Sequence, residues 1–220
     1  MPASEQIFEL VAFITETSII GHQQPCTMME MEQAIKYQKA GQLQQAEAIY
    51  RQILAREPEN PQALHMLGVI ALQGGRYGTA EKLIQKALAL KPDYAAAYNN
   101  LGLVLQDQGR IRDAVTAFQR ALELTPADPE ILINLGNAFR VHGDFSDAAT
   151  AYEQALAVAP DLALAHSNLG AARMAQGALD EAIVCFKQAL ACDPSYTEPG
   201  VVRLIVNSAR SRPCWDERSG

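Results

Sequence analysis

The chain has 220 residues, 49% hydrophobic and 20% charged, so it can bury a core, and its many Ala, Leu and Gln residues suit helices rather than strands. A net charge of −7 with no run of Lys or Arg argues against a nucleic-acid surface, so neither DNA nor RNA is expected as a partner. The four cysteines (Cys26, Cys185, Cys192, Cys214) form no Cys-x-x-Cys pair, and Cys185 and Cys192 stand two helical turns apart, roughly 10 Å, too far for a bridge. A reducing, cytoplasmic setting is the expectation.

Residues 1–26 form an extension. Its apolar run, Ile7 to Ile14, is preceded by Glu5 and broken by Glu9, and the first positive charge of the chain is Lys36. A secretory signal would place Lys or Arg ahead of the run and small residues at a cleavage site. The run is also too short to span a bilayer, so no membrane association is expected. Three readings stay open: an amphipathic docking helix, a helix capping the adjoining helices, or residues not translated because initiation occurs at Met28, Met29 or Met31.

From residue 27 the chain repeats every 34 residues. Gly41, Gly75, Gly109, Gly143 and Gly177 form one ladder; Pro58, Pro92, Pro126, Pro160 and Pro194 form another, without a slip in register. In the central unit, Ala95 to Asp128, apolar residues at Tyr98, Leu101, Val104 and Leu105 have the spacing of one helical face over residues 95–108, helix A. Gly109 supplies the left-handed conformation that ends it. A second helix, B, is expected from about Ile111 to Leu124, stopped by Pro126. The small residues Ala114 and Ala121 of helix B are expected to face Gly102 of helix A, with Phe118 filling the space beside them. Helix pairs are expected to start near Met28/Leu43, Pro61/Tyr77, Ala95/Ile111, Pro129/Phe145 and Ala163/Leu179, with neighbours antiparallel because the loops are short.

This pattern resembles the tetratricopeptide repeat, a helix–turn–helix of 34 residues with a large residue, Leu-Gly, Ala, an aromatic, Ala and Pro at fixed offsets. The residues that carry it are Leu67-Gly68, Leu101-Gly102, Leu135-Gly136 and Leu169-Gly170 in helix A, with Ala80/Ala87, Ala114/Ala121, Ala148/Ala155 and Ala182/Ala189 in helix B. Five units result: 27–60, 61–94, 95–128, 129–162 and 163–196. The first departs, with Gln33-Ala34 in place of Leu-Gly, as terminal repeats often do. The resemblance implies an all-α fold, an α-α superhelix or solenoid of about five helix–turn–helix repeats stabilised largely between repeats.

In that family the A helices line a groove, and the residues to read are at the second, fifth, sixth, ninth, twelfth and thirteenth positions of each unit. Asn100, Asn134 and Asn168 occupy the sixth, Asn99 a fifth and Asn137 a ninth. An Asn carboxamide both donates and accepts, so such a row can pair with the peptide groups of an extended chain whatever its side chains; it can equally hydrogen-bond within the solenoid. Chaperone-binding relatives clamp an acidic tail with Lys and Arg, whereas the fifth positions here are His65, Asn99, Ile133 and Ser167. Arg140 and Arg173 are the basic candidates, and His166, at a large-residue position, is expected to pack.

After Tyr196 the pattern fails at Pro199-Gly200, so residues 197–220 read either as a degenerate capping helix and loose tail or as the point where a longer protein was cut or frameshifted. No nucleophile elbow or phosphate loop is present, His22, His65, His142 and His166 lack metal spacing, and no catalytic residue, metal or cofactor is expected. The expected function is a protein-interaction adaptor whose groove holds an extended peptide of a partner; the sequence leaves the oligomeric state open. The Asn-Leu-Gly triplets also resemble the arrays that precede the catalytic domain of O-linked N-acetylglucosamine transferases, so a substrate-recruiting portion of a truncated glycosyltransferase is the alternative.

Overall fold

A computed structural model describes residues 27–195; the readings made for residues 1–26 and 197–220 lie outside them. The described residues are all-α, with ten helices and no strand among them. Helix α1 covers residues 27–39, followed by α2 (Leu43–Arg56), α3 (Pro61–Gln73) and α4 (Tyr77–Leu90). Next come α5 (Ala95–Asp107), α6 (Ile111–Leu124), α7 (Pro129–His142), α8 (Phe145–Val158), α9 (Ala163–Ala175) and α10 (Leu179–Cys192). Odd-numbered helices are the A helices and even-numbered ones the B helices, and from α2 onward each begins at the residue expected from the repeat. The fold is of the α-α superhelix class, built from five helix–turn–helix repeats.

Local chemistry explains these boundaries. Gly109 adopts φ +77°, a left-handed conformation that a Cβ would strain, and the Arg110 N–H then reaches the Leu105 carbonyl at 2.8 Å, satisfying an orphan group of the last turn. Where an A helix opens on Pro, the residue before it caps it. Asn60 Oδ1 accepts from the Ala63 N–H at 2.9 Å, and Asp128 Oδ1 accepts from the Glu130 N–H at 2.9 Å.

The chain divides into two compact units at Pro92/Asp93. In the first, Met31, Ala34, Ala46, Tyr50, Ile53, Ala63 and Ile70 form a core shared by α1, α2 and α3, and α4 packs on α3. In the second, successive helices from α5 to α10 pack pairwise. One core joins α5, α6 and α7 through Leu105, Phe118, Ile131 and Leu135; another joins α7, α8 and α9 through Leu132, Tyr152, Ala165 and Leu169. In these two cores a B helix buries residues against its own A helix and against the next.

The contact between the two helices of a repeat differs from the sequence expectation. A Cβ on Gly102 would sit 2.5 Å from Phe118 Cε1, so the glycine faces the aromatic ring, not the alanines. Ala114 and Ala121 instead lie in the core with Ile131, Leu135 and Ala138. The same slot recurs at Gly136 under Tyr152 (2.5 Å), at Gly170 under Phe186 (2.7 Å) and, with an aliphatic partner, at Gly68 under Ile84 (2.7 Å). Because Phe118 is fully buried and its ring is rigid, Gly102→Ala should destabilise the chain by about 1–3 kcal/mol through overpacking. Gly78, in α4 with nothing within 4 Å of an added methyl, is the control: Gly78→Ala should lose nothing and gain up to roughly 1 kcal/mol. Urea unfolding of the two variants checks this contrast.

Candidate functional site

The site is the solvent-facing stripe of the A helices in the second unit. Helix α7 presents Glu130, Asn134, Asn137, Arg140 and Val141 at a spacing of three and four, while the residues between them, such as Leu132, Leu135 and Ala138, are buried. Helices α5 and α9 repeat the pattern around Asn100 and Asn168. Direct contacts join α5 to α7 and α7 to α9, whereas consecutive B helices make no comparable contact. The second unit thus bends with its A helices on the inner side, bringing the stripes edge to edge.

The asparagines of these stripes are tied to one another. Asn134 Nδ2 donates to Asn99 Oδ1 at 3.0 Å, and Asn168 Nδ2 donates to Asn137 Oδ1 at 3.2 Å. The Tyr152 hydroxyl of α8 donates to that same Asn137 oxygen at 2.8 Å, with the Arg140 guanidinium nearby. One polar chain therefore runs from Tyr152 through Asn137 to Asn168, crossing three helices. Burial of Tyr152 pushes its phenol above the ordinary range, partly offset by the positive charge of nearby Arg140.

The sequence-level candidates divide accordingly. Asn134, Asn137 and Asn168 are half-buried on the stripe, Asn100 is half-buried beside them on α5, and Arg140 is exposed at the rim. Asn99, expected in the groove, is only 7% exposed; one helical step from Asn100, its side chain turns inward, where it serves as the acceptor for Asn134. Arg173 is also displaced from the groove: it pairs with Glu153 of α8 and, at 3.2 Å, with Glu181 of α10. His166 is half-buried, with Nε2 2.8 Å from the Pro160 carbonyl oxygen. Two residues of the site escaped sequence reasoning. Tyr152 fills an aromatic position held by Phe118 and Phe186 in neighbouring repeats, so its hydroxyl was the available signal; Tyr50 uses the same position to donate to Gln38 at 3.2 Å. Gln106, in the twelfth-position row with Arg140, keeps its Oε1 buried and without a partner in the described residues.

Among the described residues, no group of three His, Cys, Asp or Glu side chains could hold a metal ion, and no helix is long and apolar enough to cross a membrane. Cys185 and Cys192 are free.

If the Asn99–Asn134 bond is a true coupling between repeats, a double-mutant cycle with Asn99→Ala and Asn134→Ala should yield about 0.5–1.5 kcal/mol of interaction energy in urea unfolding. For Tyr152, a raised folded-state pKa means stability that is present below the unfolded value near ~10 and lost as pH rises through the folded value. Melting of the native chain should thus fall more steeply with alkaline pH than melting of Tyr152→Phe.

Comparison with known proteins agrees with the repeat fold. The tetratricopeptide repeat profile matches residues 31–95 and 133–197, and a second tetratricopeptide repeat profile matches 93–161. A search of curated proteins returns no match. Among solved structures, the chain is similar to MamA, at 27% identity over 73% of this chain and 94% of that one, with a TM-score of 0.67. It also shares its fold with a thermophilic tetratricopeptide protein of Thermus thermophilus (21% identity, 84% and 97% covered, TM-score 0.64). A third such structure is YrrB, described as having an unusual peptide-binding site (20% identity, 88% and 97% covered, TM-score 0.65). With profile matches over more than half of its length, the chain belongs to the tetratricopeptide repeat family, whose members are protein-interaction scaffolds.

Proposed function

We propose that the chain is a non-catalytic adaptor that holds an extended peptide segment of a partner protein on the inner face of α5, α7 and α9. The observation that carries this reading is the fixed row of carboxamides. Asn134 and Asn168 each spend one amide hydrogen on a neighbour, and among the described residues no partner is seen for the carbonyl oxygen of either. Locked by these bonds, the two acceptors would meet peptide N–H groups with little further ordering, which is how preorganisation raises affinity. Asn137 and Asn99 then act as supports, Asn100 extends the row on α5, and Arg140 stands at its rim.

Two facts support the reading. An extended chain offers donors and acceptors along its length, the pattern a row of carboxamides matches, and the structurally similar YrrB is described as having a peptide-binding site. The alternative, a recruiting portion of a glycosyltransferase, is favoured by no specific observation at this site. We place the adaptor in the cytoplasm, in keeping with the cysteine usage.

The test uses the full chain as bait in a lysate, identification of the captured protein by mass spectrometry, and titration of its bound segment. Asn134→Ala with Asn168→Ala should weaken binding by about 0.5–1.5 kcal/mol per lost hydrogen bond, more where a partner amide is left buried. Unchanged affinity in a variant of native helicity and melting would contradict the proposal.

A further inference from the structure

The stripes of α7 and α9 differ in a way that bears on what the groove would hold. On α7 the stripe carries Glu130 and Arg140, one charge of each sign. On α9 it is Leu164, Asn168, Ala171, Met174 and Ala175, with no charge at all. The single charged residue of α9, Arg173, is committed to Glu153 and Glu181 on the B helices. Leu164 is 47% exposed and Met174 44%, and at the C-terminal end of the adjoining α7 Val141 is 56% exposed. Three large apolar side chains thus stand in water on the inner face of the second unit, at both ends of α9 and on either side of the asparagine row.

An extended peptide sends successive side chains to opposite sides of its backbone. With its amides on Asn134 and Asn168, a bound segment would direct one set of side chains toward Leu164 and the other toward Val141 and Met174. An acidic or basic side chain held against α9 would lose water over a stripe that carries no charge, whereas an apolar one would remove exposed surface on both molecules. The balanced charges of α7 add no preference for a charged tail. Building on the peptide-groove reading, we infer that the partner segment is apolar and without net charge, read by its backbone at the asparagines and by hydrophobic side chains at Leu164, Val141 and Met174.

The experiment measures fluorescence anisotropy of three pools of labelled synthetic peptides, equal in length, against the full chain: one alternating apolar residues with Ser and Gln, one acidic, one basic. The apolar pool should bind at least about tenfold more tightly than either charged pool. Leu164→Lys and Met174→Lys should each cost it at least about tenfold while leaving the melting temperature unchanged, with Leu164→Gln and Met174→Gln as milder variants if a lysine disturbs folding. A charged pool that binds as well as the apolar one, yet weakens with Asn134→Ala, would overturn this inference and leave the groove reading standing. If no pool binds, both fall. A concentration-dependent dimer in sedimentation that Leu164→Lys abolishes would assign the face to a second copy of the chain and also overturn the inference.

Discussion

The structure depends on one contact repeated along the chain: the ring or branched side chain of a B helix laid against the bare backbone of a glycine on its A helix. At Gly102, Gly136 and Gly170 the ring stands where a Cβ would be, within 2.7 Å of its ideal position. That approach sets the spacing of the helix pair, because dense cores relax little around a displaced ring. Small residues on the same B helices, Ala114 and Ala121 for Phe118 and Ala148 and Ala155 for Tyr152, then bury against a following A helix. The first repeat has Ala34 where the others have glycine, and there Ala34 and Tyr50 are both fully buried in one cluster.

With the ring packed on one side of an A helix and core residues on its flanks, only a narrow stripe of that helix is left to solvent. The bend of the second unit brings three such stripes together, and the carboxamides on them meet. This is why the asparagines are both structural and accessible: Asn134 is held by Asn99, Asn168 by Asn137, and Asn137 in turn by Tyr152. Packing within the repeat and polar order on its inner face are therefore coupled through Tyr152, whose ring fills the glycine slot at Gly136 while its hydroxyl anchors the network.

Much of the fold was legible because glycine and proline act through local sterics. A left-handed turn at Gly109 or a helix stop at Pro126 needs no tertiary context, so the helix starts could be read from spacing alone. The faces were harder. Tyr98 and Leu101, which apolar periodicity selects, are only half-buried, while Ala97 and Asn99 are buried. An A helix touches its own B helix, the preceding B helix and the neighbouring A helices, and one hydrophobic period cannot resolve several contact directions. For the same reason periodicity sets Gly102 against the alanines rather than the ring, and puts Arg173 in a groove it turns away from. The asparagine row was visible as a spacing of 34, but its hydrogen-bond partners depend on how repeats bend against each other, which no single repeat encodes.

The most direct test of this account is nuclear magnetic resonance of the Asn side-chain amides, followed as a bound peptide segment is titrated into the full chain. The Nδ2 signals of Asn134, Asn137 and Asn168 should shift together and saturate at one stoichiometry, while backbone signals on the outward side of α6 and α8, around Thr116 and Thr150, stay in place. Shifts confined to those B-helix residues, with the three carboxamides unmoved, would contradict it.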